Sequence, residues 1–99
     1  MRIVNVNDMN AKSTIDKDYK NGYVATLFCY EENCYDIKIV RHDKVFDPYT
    51  GKDQSIMFDY PIWDAAELIK EIFGYDVERV TMQKGSGFFA TEKIAYQKI

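Results

Sequence analysis

His42 is the one histidine in the chain, and Asp43 follows it directly. A histidine acting as general base needs a group that orients its ring and a nucleophile within hydrogen-bond reach. Neighbouring side chains of a regular strand point to opposite faces, so Asp43 is badly placed to orient His42. Ser13, Ser55, Ser86 and two cysteines are the available nucleophiles, and none stands in a recognisable setting. His42 therefore reads as a surface residue, and a small enzyme built on it is the weakest functional reading. Cys29 and Cys34 can face each other across a hairpin if two or four residues connect the strands, which would permit a disulfide or half of a metal site. No second Cys or His pair exists to complete a zinc tetrahedron, so reduced thiols are favoured. Lys84-Gly85-Ser86-Gly87 exposes backbone N–H groups as phosphate-binding loops do. Such a loop must lead into a helix, however, and the sequence after it is β-like; a hairpin turn fits better. Asp47, Tyr49, Gly51 and Asp53 faintly match a calcium loop, without its closely spaced oxygen ligands or terminal glutamate. The chain is read as having no catalytic residue, no metal site and no cofactor.

The stronger signal is charge combined with aromatic rings. Between Asp43 and Glu78 there are nine carboxylates and three lysines, a formal −6 within a chain of net charge −3. Residues 1–42 balance six acids with six bases, and residues 79–99 carry four bases against one acid. Tyr49, Tyr60, Trp63 and Tyr75 are interleaved with the acids of the middle segment. Part of the excess is ordinary: Asp64, Glu67 and Glu71 form the wet side of a helix, and Asp47 and Asp53 bracket a turn. Rings among acids nevertheless suit a surface that docks on a basic protein, with charge steering the encounter and the rings supplying affinity. The candidate partner-binding residues are Asp47, Tyr49, Asp53, Asp59, Tyr60, Trp63, Asp64, Glu67, Glu71 and Tyr75. The expected function is that of a small non-enzymatic protein-binding domain whose partner is a basic, nucleic-acid-binding protein. In size and charge the chain resembles the small phage-encoded inhibitors of host defence, including anti-CRISPR and DNA-mimic proteins, which implies inhibition by docking; −3 is mild for a DNA mimic. An alternative is direct nucleic-acid binding through the C-terminal hairpin, with Arg79, Lys84, Lys93 and Lys98 as cations and Phe88, Phe89 and Tyr96 as stacking rings. The acidic pI of about 5.1 argues against it, because phosphate contacts dominate such binding.

These residues need elements to hold them. Arg2 to Val6 alternates weakly as a first strand, and Asn7 to Asn21 is polar enough to read as a loop with at most a helical turn. Tyr23–Tyr30 and Cys34–Arg41 are rich in β-branched and aromatic residues and form an antiparallel hairpin, with Tyr35, Ile37 and Ile39 on one face. Asp47 to Lys52 is turn chemistry, and Ser55–Tyr60 adds a short strand. Ile62, Ala65, Ala66, Ile69, Ile72 and Phe73 share one arc at helical spacing, which predicts an amphipathic helix over about 61–73, with Pro61 in its first turn and Gly74 as its C-terminal cap. Val77–Gln83 and Phe88–Tyr96 read as two further strands. The expected fold is α+β: an antiparallel sheet of about four to six strands with one helix packed on one face.

Ninety-nine residues, 46% of them apolar, make a single globular domain over 1–99. Neither a secretory signal nor a membrane span is visible, and the two cysteines read as thiols of a reducing compartment, so a cytoplasmic protein is expected. Ile, Lys, Asn, Tyr and Phe total 39 residues against 16 for Gly, Ala, Pro and Arg. Codons of the first group are AT-rich, which favours a low-GC bacterium or its phage as source.

Overall fold

The structure is a computed structural model describing residues 1–99. Apolar residues of both parities occur on the central strands, so the sheet is buried on both faces. On β3 (Val24–Tyr30) and β4 (Cys34–Asp47), Ala25, Leu27, Ile37 and Ile39 point to one face, where Ile69 of α1 (Ala65–Phe73) packs against them. Tyr30 and Cys34 turn to the second face, with Val80 and Met82 of β6 (Val77–Lys84) and Ala95 of β7 (Thr91–Lys98). No helix covers that second face. The chain joining β1 (Arg2–Asn5) to β2 (Ser13–Asp18) crosses it, laying Val6, Met9 and Ala11 on the apolar surface.

The sheet has seven strands in the order β1-β6-β7-β4-β3-β2, with β5 (Lys52–Asp59) pairing β4 off that path. The expected α+β class and single helix stand, with two differences. The strand count is higher, and β1 runs parallel to β6, so the sheet is not purely antiparallel. The polar 7–21 segment is also more than a loop. Its residues 13–18 form an edge strand against β3, and Lys20–Gly22 make a 3-10 turn. An edge strand exposed throughout needs no apolar alternation, so periodicity could not show it.

The helix begins at Ala65, not near Pro61. Asp64 has extended φ/ψ and its carboxylate accepts the Glu67 N–H at 3.2 Å, so the cap fixes the start and leaves Pro61 to Trp63 as linker. Gly74 closes the helix at φ 79°, as its position predicts. At the C-terminal hairpin, Gly87–Phe89 form a 3-10 turn and β7 starts only at Thr91. β4 and β5 are longer than the sequence suggests, because they pair beyond the sheet. Up to Val40, β4 bonds to β3; from Val40 to Asp47 it bonds to β5. The two strands leave the body as an arm of roughly 26 Å, within overall dimensions of 53 × 32 × 22 Å.

Candidate functional site

Folding disperses much of the acidic middle. Asp43 pairs with Arg41 at 3.0 Å, Asp76 with Lys70 at 2.8 Å and Glu78 with Arg2 at 2.7 Å. Exposed pairs of this kind add little stability, yet they cancel local field. Lys70 is accordingly held above its ordinary pKa by its hydrogen bond to Asp76. Asp47 is occupied by its own turn: Oδ1 accepts the Tyr49 N–H at 2.9 Å and Oδ2 accepts from Gln54 at 2.8 Å. Of the nine acids, Asp53, Asp59, Glu67 and Glu71 have no side-chain partner in the chain, and Asp64 is engaged as the helix cap.

Glu67 and Glu71 lie in one groove. Asp64, Glu67, Leu68 and Glu71 form a row at helical spacing along the first turns of α1, and this row is one wall. Tyr60 with Pro61 and Trp63 of the linker, and Tyr19 and Lys20 just after β2, complete a cavity of about 320 Å³. Tyr60 is its anchored ring, edge-on to Tyr19 at 5.5 Å and to Tyr23 at 5.3 Å. Trp63 is the opposite case, 95% exposed although it borders the groove. The groove already holds one cation. The Lys20 ammonium lies 5.0 Å above the Tyr19 ring. Its hydrogen bond with the Tyr19 side chain, first of all, holds it above the usual lysine value, against the opposing effect of desolvation.

Five of the ten sequence candidates therefore meet: Tyr60, Trp63, Asp64, Glu67 and Glu71. The others do not join them. Asp47, Tyr49 and Asp53 sit at the tip of the arm, where Tyr49 is 97% exposed. Asp59 is exposed at the arm's base, opposite Val40. Tyr75 belongs to the core on the helix side, with its ring 5.3 Å from Tyr35 and the Lys98 ammonium 4.8 Å above it. Tyr19, Lys20 and Leu68 were not among the sequence candidates, because a groove lined from two distant segments leaves no local pattern. The arm adds further rings and aliphatic groups: Val45, Ile56 and Phe58 share one face, Phe46 and Met57 the other, and all are exposed.

The remaining chemistry is dispersed. His42 faces solvent opposite Met57, while Asp43 turns to the other face and engages Arg41. Cys29 and Cys34 cannot bond: the three-residue link Glu31–Asn33 sets Cys29 opposite Tyr35 and Cys34 opposite Tyr30, so the thiols occupy opposite faces. Burial, and then the Glu32 charge, push the Cys34 thiol above its ordinary value, which suits packing and not reactivity. Gly85 and Gly87 belong to the β6–β7 connection, and β7 follows instead of a helix N-terminus. No group of three or more His, Cys, Asp or Glu side chains is placed to hold a metal ion, and no helix is long and apolar enough to cross a membrane. Phe88 and Phe89 are almost wholly exposed, but the nearby cations divide: Lys84 and Lys93 lie on the Val80–Met82 face, Arg79 and Lys98 on the helix face. No family model, no curated protein and no solved structure matches this chain.

Proposed function

We propose that this protein is a small non-enzymatic binding domain, of bacterial or phage origin, that receives a basic segment of another protein in the groove beside α1. The observation carrying this reading is Trp63, a large ring left 95% exposed next to two unpaired glutamates and a tyrosine-lined cavity. A lysine or arginine stem can lie along Trp63 and Leu68, and its charged head can reach Glu67 or Glu71. Basic surfaces of that kind are typical of nucleic-acid-binding proteins, and covering one would inhibit it. Charge reversal with Glu67→Lys and Glu71→Lys tests the groove, because neither residue caps the helix. Binding of a lysine- and arginine-rich peptide, followed by calorimetry at low salt, should weaken at least tenfold while unfolding stays unchanged. Undiminished peptide binding would show that the contact lies elsewhere.

Phe88 and Phe89 support a second reading, stacking on single-stranded nucleic acid. An oligonucleotide mobility shift at low salt, lost in Phe88→Ala, would favour it over the first.

A further inference from the structure

We infer that two copies of this chain pair through their β2 strands, antiparallel about a two-fold axis at Ile15, joining the two sheets edge to edge. β2 is an outer strand of the sheet, and all six of its residues are exposed. The Tyr19 N–H donates to the Tyr23 carbonyl at 2.8 Å, which fixes the alternation of the ladder. Odd residues of β2 turn their backbone groups toward β3, so Thr14 and Asp16 turn theirs outward. These outward groups are an open template for another strand.

The occupant follows from the side chains. A two-fold normal to an antiparallel pair must set one residue against its own copy, and a dyad at Ile15 does so between apolar side chains at a closely spaced, non-hydrogen-bonded position. Thr14 then opposes Asp16 of the second copy and Ser13 opposes Lys17, each twice. Lys12 lies just before β2 with its N–H turned in to the Cys29 carbonyl at 2.8 Å, so it flanks the ladder at the end where Asp18 of the second copy stands. About four backbone hydrogen bonds form between the Thr14 and Asp16 positions. Asp16 and Lys17 each meet a hydroxyl, and Asp18 has Lys12 of the second copy at the end of the ladder. The neighbouring registers do worse. With the dyad at Asp16, that carboxylate faces its own copy; with the dyad at Thr14, only Ser13, Thr14 and Ile15 find partners within the strands. Lys12 and Asp18 have no ion partner within their own chain, so both are free for the exchange. Charged edges ordinarily repel other strands; this one is complementary to itself.

Sedimentation equilibrium of the whole chain over a wide concentration range tests the inference. A reversible dimer is expected, with Kd rising roughly tenfold in Lys12→Asp and in Asp18→Lys, where like charges adjoin at the ends of the ladder. The double variant, carrying both changes, should return Kd to the wild-type value. Thr14→Pro removes an outward N–H that the monomer does not use and should abolish the dimer, with circular dichroism reporting the fold. A monomer at every concentration overturns the inference. So does a dimer that is indifferent to all three single changes, as pairing through the arm would be.

Discussion

Replacing Trp63 with alanine separates a docking ring from a core ring. At 95% exposure the indole gains almost none of the ~1.5–3 kcal/mol that full burial of a large side chain provides. Its loss should therefore change unfolding free energy by less than about 0.5 kcal/mol. For a domain of this size that is a Tm shift of no more than about 4 °C. Binding should respond quite differently. A tryptophan that becomes buried removes about 150–250 Å² from water, a gross gain of about 4–6 kcal/mol at ~25 cal/mol per Å². Ordering costs take part of this, and truncated anchors of this type lose about 2–4 kcal/mol, roughly 30- to 1,000-fold in Kd. Trp63 is the only tryptophan, so its fluorescence reports titration of the wild-type chain with a lysine- and arginine-rich peptide, and calorimetry reads the variant. A Tm loss beyond about 8 °C would place the ring in the core. An unchanged Kd would remove Trp63 from the interface, and with it the observation on which the proposed function stands.

Three stability predictions test the frame that holds the groove. Ile69→Ala should cost about 2–5 kcal/mol in urea unfolding, because Ile69 is fully buried and is the contact that seats α1 on β3 and β4; a loss below about 1 kcal/mol would mean that the helix is loosely attached. Asp64→Ala should cost about 1 kcal/mol and Asp64→Asn much less, since either side-chain oxygen can accept the Glu67 N–H. Stability should also fall in alkali. Burial raises the Cys34 thiol above 9.0 and, with the Tyr75 phenol, raises Tyr35 above 10.0. Burial lowers Lys93, but its bonds to Tyr30 and Asp36 outweigh that and leave it above 10.5. In each case the folded pKa exceeds the unfolded one, so the folded state holds more protons once the unfolded group begins to lose its own. The stability is complete below the unfolded pKa values and is lost from pH 9.0 upward; urea midpoints constant from neutrality to beyond 10.5 would contradict this.

The elements that the sequence reveals are those with one buried face. The Ile37–Ile39 alternation and the Ile69-centred arc arise because one side of β4 and of α1 meets the core, so burial writes itself into the spacing. The helix start is obscured in the sequence by a competing signal. Pro61 and Ile62 fit a first turn, but the carboxylate of Asp64, holding the Glu67 N–H, decides where the turn begins. Tyr60, Trp63 and Tyr75 show the limit most plainly. All three are aromatic residues among acids, yet one is half-buried against Tyr19 and Tyr23, one stands in solvent and one packs on Tyr35. The two inward ones are held by Tyr19, Tyr23 and Tyr35, residues distant in sequence that a local window cannot include.

The same reasoning explains why β2 and the arm are the least legible parts of the chain. β2 and the outer half of β4 with β5 bury neither face within the monomer, so no alternation is required of them, and polar and apolar residues mix freely. In the two proposals, the constraint on β2 and on the groove comes from the partner. On β2 the constraint shows in a different form: not a period, but a sequence that reads as its own complement when reversed about Ile15. In the groove it shows as acids left without partners, when their neighbours Asp43, Asp76 and Glu78 are each answered by a base in the same chain. Folding neutralises the carboxylates it can reach. Glu67 and Glu71 keep their charge beside an exposed indole, and that residue of unspent field and apolar surface is what a basic partner would meet first.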